Sequence, residues 1–126
     1  MQVIVLPGDG IGPEITAATL EVLRAAAQSF QLRLDLVEDV VGLESHRRHG
    51  TTVRPELLDR VRAADGLIMG PTSTMEYREG DPGQVGPSKF FRKGLDLFAN
   101  IRPARTYPGL AAKLGAFDLV VVRENT

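Results

Sequence analysis

Cysteine is absent from the 126 residues, which excludes a disulfide framework and a thiolate metal site and fits a cytoplasmic protein. Excess charge of either sign is absent as well. Lys and Arg number 15 and Asp and Glu 16, a formal net charge of −1, so no global field recruits nucleic acid or an anionic membrane. No apolar run approaches membrane-spanning length, and the N-terminus lacks a basic region followed by a long apolar stretch. Apolar residues are not scarce, however. At 43% hydrophobic and 25% charged the chain is ordinary for a globular protein, which excludes a disordered tail. It holds one domain's worth of residues, or part of a larger protein. A soluble intracellular protein is the expectation.

The elements follow from pattern. Gln2 to Leu6 is a short, continuously apolar run, as in a strand buried on both faces. A helix over 13–30 is expected next, with Gly12 as cap, Pro13 in the first turn, and Ile15, Ala18, Val22, Leu23, Ala26 and Phe30 as its buried face. "LRLDLV" (32–37) alternates like a strand, which completes a parallel βαβ unit. A short polar helix or loop (42–50), a helix (55–64) and an apolar strand (66–70) follow. A loop rich in Gly, Pro, Ser and Thr then runs from Pro71 to Pro87. Ser88 can cap a helix to Leu95, residues 97–105 read as extended, and Asp118 to Val122 reads as a buried strand. The class is α/β, with a mainly parallel sheet and flanking helices.

A further absence lies in the opening "MQVIVLPGDGIGPEIT": no Lys-Ser or Lys-Thr pair follows the glycines. That excludes a phosphate-gripping P-loop. Gly8, Gly10 and Gly12 are also spaced too tightly for the G-x-G-x-x-G dinucleotide fingerprint. The bland alternative is a tight turn in which three glycines supply positive φ. Position favours more, because the bend ends a parallel strand at the edge where open α/β sheets bind ligands, and it presents N–H groups at a helix start. Asp9 and Glu14 make it a poor seat for bare phosphate and a better one for an uncharged amide or ribose.

"LPGDGIGPE" (6–14), "DLFANIRPAR" (96–105) and "VVRENT" (121–126), in this order and at these separations, resemble the β-decarboxylating dehydrogenases. That family includes the isopropylmalate, isocitrate, homoisocitrate and tartrate dehydrogenases. The resemblance spans the whole chain and implies the first part of a two-domain fold. Residues 1–99 would begin the large, cofactor-side domain, and 100–126 the second, substrate and dimer domain. It further implies a homodimer that uses NAD or NADP with Mg2+ or Mn2+. The catalytic tyrosine and lysine, the metal-binding aspartates and the adenine-binding loop would lie beyond this chain. The abrupt end after "ENT" fits a piece of something longer, and on this reading the chain alone catalyses nothing.

The resemblance also assigns residues. Gly10, Ile11 and Gly12 would pack the nicotinamide half of the cofactor. Thr72, Ser73 and Thr74 follow a strand at a place where the family contacts cofactor or substrate, ordinary turn chemistry being the alternative. Arg92, Arg102 and Arg123 match the three arginines that bind the substrate, a malate-type 2-hydroxy diacid. The chemistry agrees, because a guanidinium meets a carboxylate with two parallel hydrogen bonds and stays charged. Where isopropylmalate enzymes carry two leucines, three and four residues before the first arginine, this chain has Lys89 and Ser88. The isocitrate pattern, a serine six before and an asparagine four before, meets Gly86 and Ser88 instead. Neither pattern fits, and a polar substituent near Ser88 is expected; Lys89 is either part of that site or a surface residue. His46 and His49 read as a solvated helix end, and Met69 and Met75 as packing residues. A stand-alone, non-catalytic module that binds an anion or nucleotide at its sheet edge is the rival reading.

Overall fold

The computed structural model describes residues 1–78, 80–113 and 115–125. Thr126, the last residue of the third motif, therefore lies outside the described residues. The chain divides into two compact units, Met1–Phe91 and Arg92–Thr126.

The first unit is built on β1 (Gln2–Leu6), which lies between β2 (Asp35–Glu38) and β3 (Gly66–Met69), both parallel to it. Val3 is level with Leu36 on one side and with Gly66 on the other. A central strand has helices or loops on both faces, so Ile4, Val5 and Leu6 are buried, as the unbroken apolar run predicts. Helices α1 (Gly12–Ser29), α2 (Leu43–His49) and α3 (Leu57–Ala63) follow, and α4 (Pro87–Gly94) begins in this unit.

Three expectations are corrected here. The buried face of α1 is not the apolar one. Gly12, Thr16, Leu20 and Ala27 turn inward, while Ile15, Val22 and Phe30 are 42%, 71% and 74% exposed. Small side chains let the helix come close to the strands: a Cβ added to Gly70 would already stand 3.0 Å from Thr16 Oγ1. Backbone proximity chose the face, and the apolar stripe lies about 100° round the helix from it. Secondly, β2 starts at Asp35 rather than Leu32. The N–H groups of Phe30 and Leu32 bond back to Ala26 O and Ala27 O, with Gln31 at φ 55°, so these residues close the helix instead of extending the sheet. Thirdly, α1 has Ile11 at its cap position and Gly12 already helical, while Ser88 lies inside α4 rather than capping it. α4 opens with Phe90 N–H donating to Gly86 O.

In the second unit, β4 (Ala99–Arg105) pairs antiparallel with β5 (Asp118–Glu124), Ile101 facing Val122 and Pro103 facing Val120. All seven residues of β5 are exposed; the apolar run reads as a buried strand, and the exposure of one of its faces, expected of this chain by itself, extends to both. A two-stranded ribbon has no second layer to bury it, and so Leu119, Val120, Val121 and Val122 all meet solvent here.

Just past β2, Asp39 joins that strand to the start of α3. Its carboxylate accepts from Val40 N–H at 2.7 Å and pairs with both Arg54 and Arg60. Partial burial works against ionisation, but the Val40 N–H and the two guanidiniums outweigh it and hold Asp39 below the usual carboxylate range. Folding thus lowers this pKa, so the stabilisation is complete above the ordinary value of 3.8 and is lost as pH falls through the lower folded value. Asp39→Asn should cost about 1–2 kcal/mol at neutral pH. In urea unfolding the gap between variant and wild type should close in acid; a gap independent of pH would contradict this account.

Candidate functional site

The bend between β1 and α1 uses its three glycines for two purposes. Gly8 and Gly10 adopt φ +80° and +57°, where other residues are strained. Gly12 has an ordinary φ, and is required because a Cβ there would overlap the Pro7 carbonyl oxygen. Two of the N–H groups expected to be open are already in use: Asp9 N donates to Pro71 O and Gly12 N to Asp9 O, both at 2.8 Å.

Asp9 itself is the centre of the site's scaffold. It is 7% exposed and accepts three hydrogen bonds from two other segments. Oδ1 takes Leu43 N–H at 2.7 Å, and Oδ2 takes Ser73 N–H at 3.0 Å and the Tyr77 hydroxyl at 2.8 Å. Gly42, at φ +77°, presses so close that any Cβ would overlap both carboxylate oxygens. The segments that follow β1, β2 and β3 therefore meet on one carboxylate. Burial, and then the Asp9 charge, push the Tyr77 phenol far above its ordinary value of 10.0, so it remains a donor. From the sequence Asp9 reads only as a deterrent to phosphate, and nothing there singles out Tyr77. An Asp inside a glycine turn commonly bonds backbone N–H groups, but its partners stand 34, 64 and 68 residues away.

The scaffold brings together the residues expected to hold the cofactor. A Cβ on Gly10 would lie 3.7 Å from Ser73 Oγ, so the bend and the 72–74 segment are neighbours. Ile11 stands 60% exposed, an apolar surface for a ring to pack on. Thr72 hydrogen-bonds Tyr77, and Thr74 opens a single 3-10 turn, Thr74–Glu76. Met75 in that turn is 97% exposed and packs on nothing, contrary to expectation. The opposite flank of the bend is a cleft of about 440 Å³, walled by Pro7, Pro13, Val41 and Leu43, with Glu44 and Arg47 also lining it. It contains Gly10 but none of residues 72–74. Ser88 and Lys89 are exposed in the first turn of α4.

The three arginines of interest all fall in the second unit. Arg102 is level with Val121 and Arg123 with Asn100, so Arg102 and Arg123 are diagonal neighbours on one face of the ribbon. Diagonal Cβ atoms are about 7–8 Å apart, within reach of long side chains. Arg102 Nε donates to Asn100 Oδ1 at 2.9 Å, and Arg92 Nη1 to Asn125 Oδ1 at 3.2 Å. Among the described residues, none of the three pairs with a carboxylate. Arg92 Nε is also buried without an acceptor among those residues, which a solvated surface arginine would not tolerate. Also among the described residues, no group of three or more Asp, Glu or His could hold a metal ion, and no helix is long and apolar enough to cross a membrane.

A parallel sheet with helices around it and a glycine bend at the carboxyl end of its central strand is an α/β domain whose bend lies where open sheets of this class bind ligands. The chain belongs to the isocitrate/isopropylmalate dehydrogenase family, whose sequence profile matches residues 2–126. It is 37% identical to the 3-isopropylmalate dehydrogenase of Pseudomonas syringae pv. tomato and 39% identical to that of Anaeromyxobacter dehalogenans. Each of these alignments covers 99% of this chain but only 37% and 38% of the relative, respectively. Among solved structures, an isocitrate dehydrogenase from Methylococcus capsulatus superposes with a TM-score of 0.80 at 30% identity, covering 99% of this chain and 34% of that one. An apo β-decarboxylating dehydrogenase from Thermococcus kodakarensis gives 0.77 at 30%, with the same coverage. The chain thus spans little more than a third of the length of these relatives.

Tyr77 offers a direct check of the scaffold. In an ultraviolet titration, the difference between wild type and Tyr77→Phe should show no phenolate at the ordinary value of 10.0. Asp9→Asn should bring that signal back toward it. A Tyr77 that titrates normally in the folded wild type would remove the hydroxyl from the Asp9 network.

Proposed function

We propose that this chain supplies the N-terminal part of a dehydrogenase that oxidises a malate-type 2-hydroxy diacid and releases the carboxylate β to the new ketone. NAD or NADP, held at Gly10, Ile11, Gly12 and Thr72, Ser73 and Thr74, would supply the hydride acceptor for C2. Residues 1–99 belong to the cofactor-side domain and 100–126 open the substrate and dimer domain of a homodimer. Mg2+ or Mn2+ is held by aspartates outside this chain, as are the proton-transfer tyrosine and lysine.

Within the chain, the roles divide by unit. Gly10, Ile11 and Gly12 with Thr72, Ser73 and Thr74 receive the nicotinamide half. The exposed Ile11 offers a ring its apolar face, and the hydroxyls offer partners to amide and ribose. Arg92, Arg102 and Arg123 hold the carboxylates and so orient C2 toward the cofactor. None of them transfers a proton. The observation that carries this reading is the pair Arg102 and Arg123, two guanidiniums on one ribbon face with no carboxylate partner among the described residues. Of the other arginines, Arg24, Arg47, Arg48, Arg54, Arg60 and Arg62 pair with carboxylates of the fold, whereas Arg33, Arg78 and Arg105 form no ion pair among the described residues and do not share a ribbon face as a pair.

Ser88 and Lys89 give the substituent a polar neighbourhood with no leucine wall. The complete gene product is therefore expected to prefer tartrate, malate or isocitrate over isopropylmalate, read as kcat/KM across that panel with NAD and NADP. A clear preference for isopropylmalate would overturn the substrate assignment. Arg102→Lys keeps the charge and loses the fork, and should cost on the order of 1.5–3 kcal/mol in kcat/KM. Unchanged kinetics would remove Arg102 from the site.

A further inference from the structure

The segment from Pro71 to Pro87 joins the residues proposed to touch the cofactor to the helix that carries Ser88. At this length, and with its glycines and prolines, it has the character of a mobile loop. Its hydrogen bonds say otherwise. Asp9 holds the near end, through Ser73 N–H and the Tyr77 hydroxyl. Thr52 holds the far end.

Thr52 is fully buried, and each of its polar groups is engaged. Its N–H donates to Gly83 O at 2.7 Å and its hydroxyl to Val85 O at 2.5 Å, while its carbonyl accepts Gly42 N–H at 2.8 Å. Gly83 lies so close to the Gly50 carbonyl that a Cβ would overlap it. Between the two anchors the loop closes on itself: Asp81 takes Gly83 N–H at 2.8 Å and Gln84 Nε2 at 2.9 Å, and Gln84 Oε1 takes Arg78 N–H at 2.8 Å. Both anchors rest on one platform, since Gly42 touches the Asp9 carboxylate and is bonded to Thr52.

We infer that Asp9 and Thr52 are two separable positioning residues, Asp9 setting the cofactor-facing residues 72–74 and Thr52 setting the entry to α4 and with it Ser88. The inference rests on the functional reading above for what each end faces. The clamps themselves rest on geometry alone. A shared platform makes the loop a fixed wall. The separate anchors allow its two ends to be loosened one at a time.

The experiment uses the complete gene product with Thr52→Val, which removes the hydroxyl at constant shape, Thr52→Ser, which restores it, and Asp9→Asn. Hydrogen exchange reads the clamps without reference to activity. Thr52→Val should speed exchange in 81–86 and leave 73–77 unchanged, and Asp9→Asn should do the reverse. In kinetics, Thr52→Val should raise the KM for the diacid by about tenfold, the effect of one ordinary hydrogen bond, with the dinucleotide Kd unchanged. Thr52→Ser should return both readouts to wild type, and Asp9→Asn should weaken the dinucleotide instead. Exchange that moves in both segments together, or in neither, would overturn the two-clamp assignment, as would equal effects of Thr52→Val on both ligands. If the wild-type product binds no dinucleotide, the functional reading fails on that control and hydrogen exchange alone decides the clamps.

Discussion

A carboxylate excluded from water must find donors or lose its charge, and much of this molecule's ligand-facing edge is arranged around that requirement at Asp9. The donors are a backbone N–H after β2, a backbone N–H after β3, and a phenol one short turn further on. They come from the two segments that follow β2 and β3, and Asp9 itself follows β1, so satisfying one side chain draws three strand ends together. Glycine at position 42 is the steric counterpart of that electrostatic demand, since nothing larger fits against the carboxylate. Such a knot makes the bend rigid without any ligand present. That suits the proposed packing of a planar ring better than it would suit wrapping round a phosphate.

The near-zero net charge conceals a division of labour among the charged residues. In the first unit, arginines are consumed by the fold: Asp39 takes two, and Glu44 takes Arg47 and Arg48. The exposed Glu44 pairs contribute little to stability, unlike the half-buried Asp39 pairs, but together they leave few guanidiniums free to attract anions. In the second unit Arg92, Arg102 and Arg123 meet only asparagine oxygens or solvent among the described residues. A neutral partner fixes a guanidinium's direction without cancelling its charge, which is what the recognition of a carboxylate requires.

Where local pattern failed, tertiary proximity explains the failure. Hydrophobic spacing in α1 marks the stripe through Ile15, Val22 and Phe30, yet the sheet takes the stripe of Gly12, Thr16 and Ala27. Apolar periodicity measures what would gain by burial, whereas close approach to a strand favours what is small. Leu32 and Leu34 alternate as strand residues should, but the closing turn of α1 claims the backbone of 30–32 first. The apolar run of β5 reads as buried for the same reason that Ile15 does. Composition reports a preference for cover, and the surrounding structure decides whether cover is there.

The sequence alone determined the order and type of the elements, the parallel character of the first sheet, and the family, because these depend on short-range pattern and on motifs whose residues are adjacent. It also singles out Arg102 and Arg123 as candidates, since each sits inside a motif, and Arg92 just ahead of one. Only the tertiary structure decided that Asp9 is a buried junction and not an exposed charge, that Tyr77 and Thr52 hold opposite ends of the same loop, and that Arg102 and Arg123 share a face. Those facts rest on contacts between residues up to 68 positions apart and on strand register. A hydrogen bond at that separation leaves no periodicity in the chain: its partners become neighbours only once the strands between them have folded.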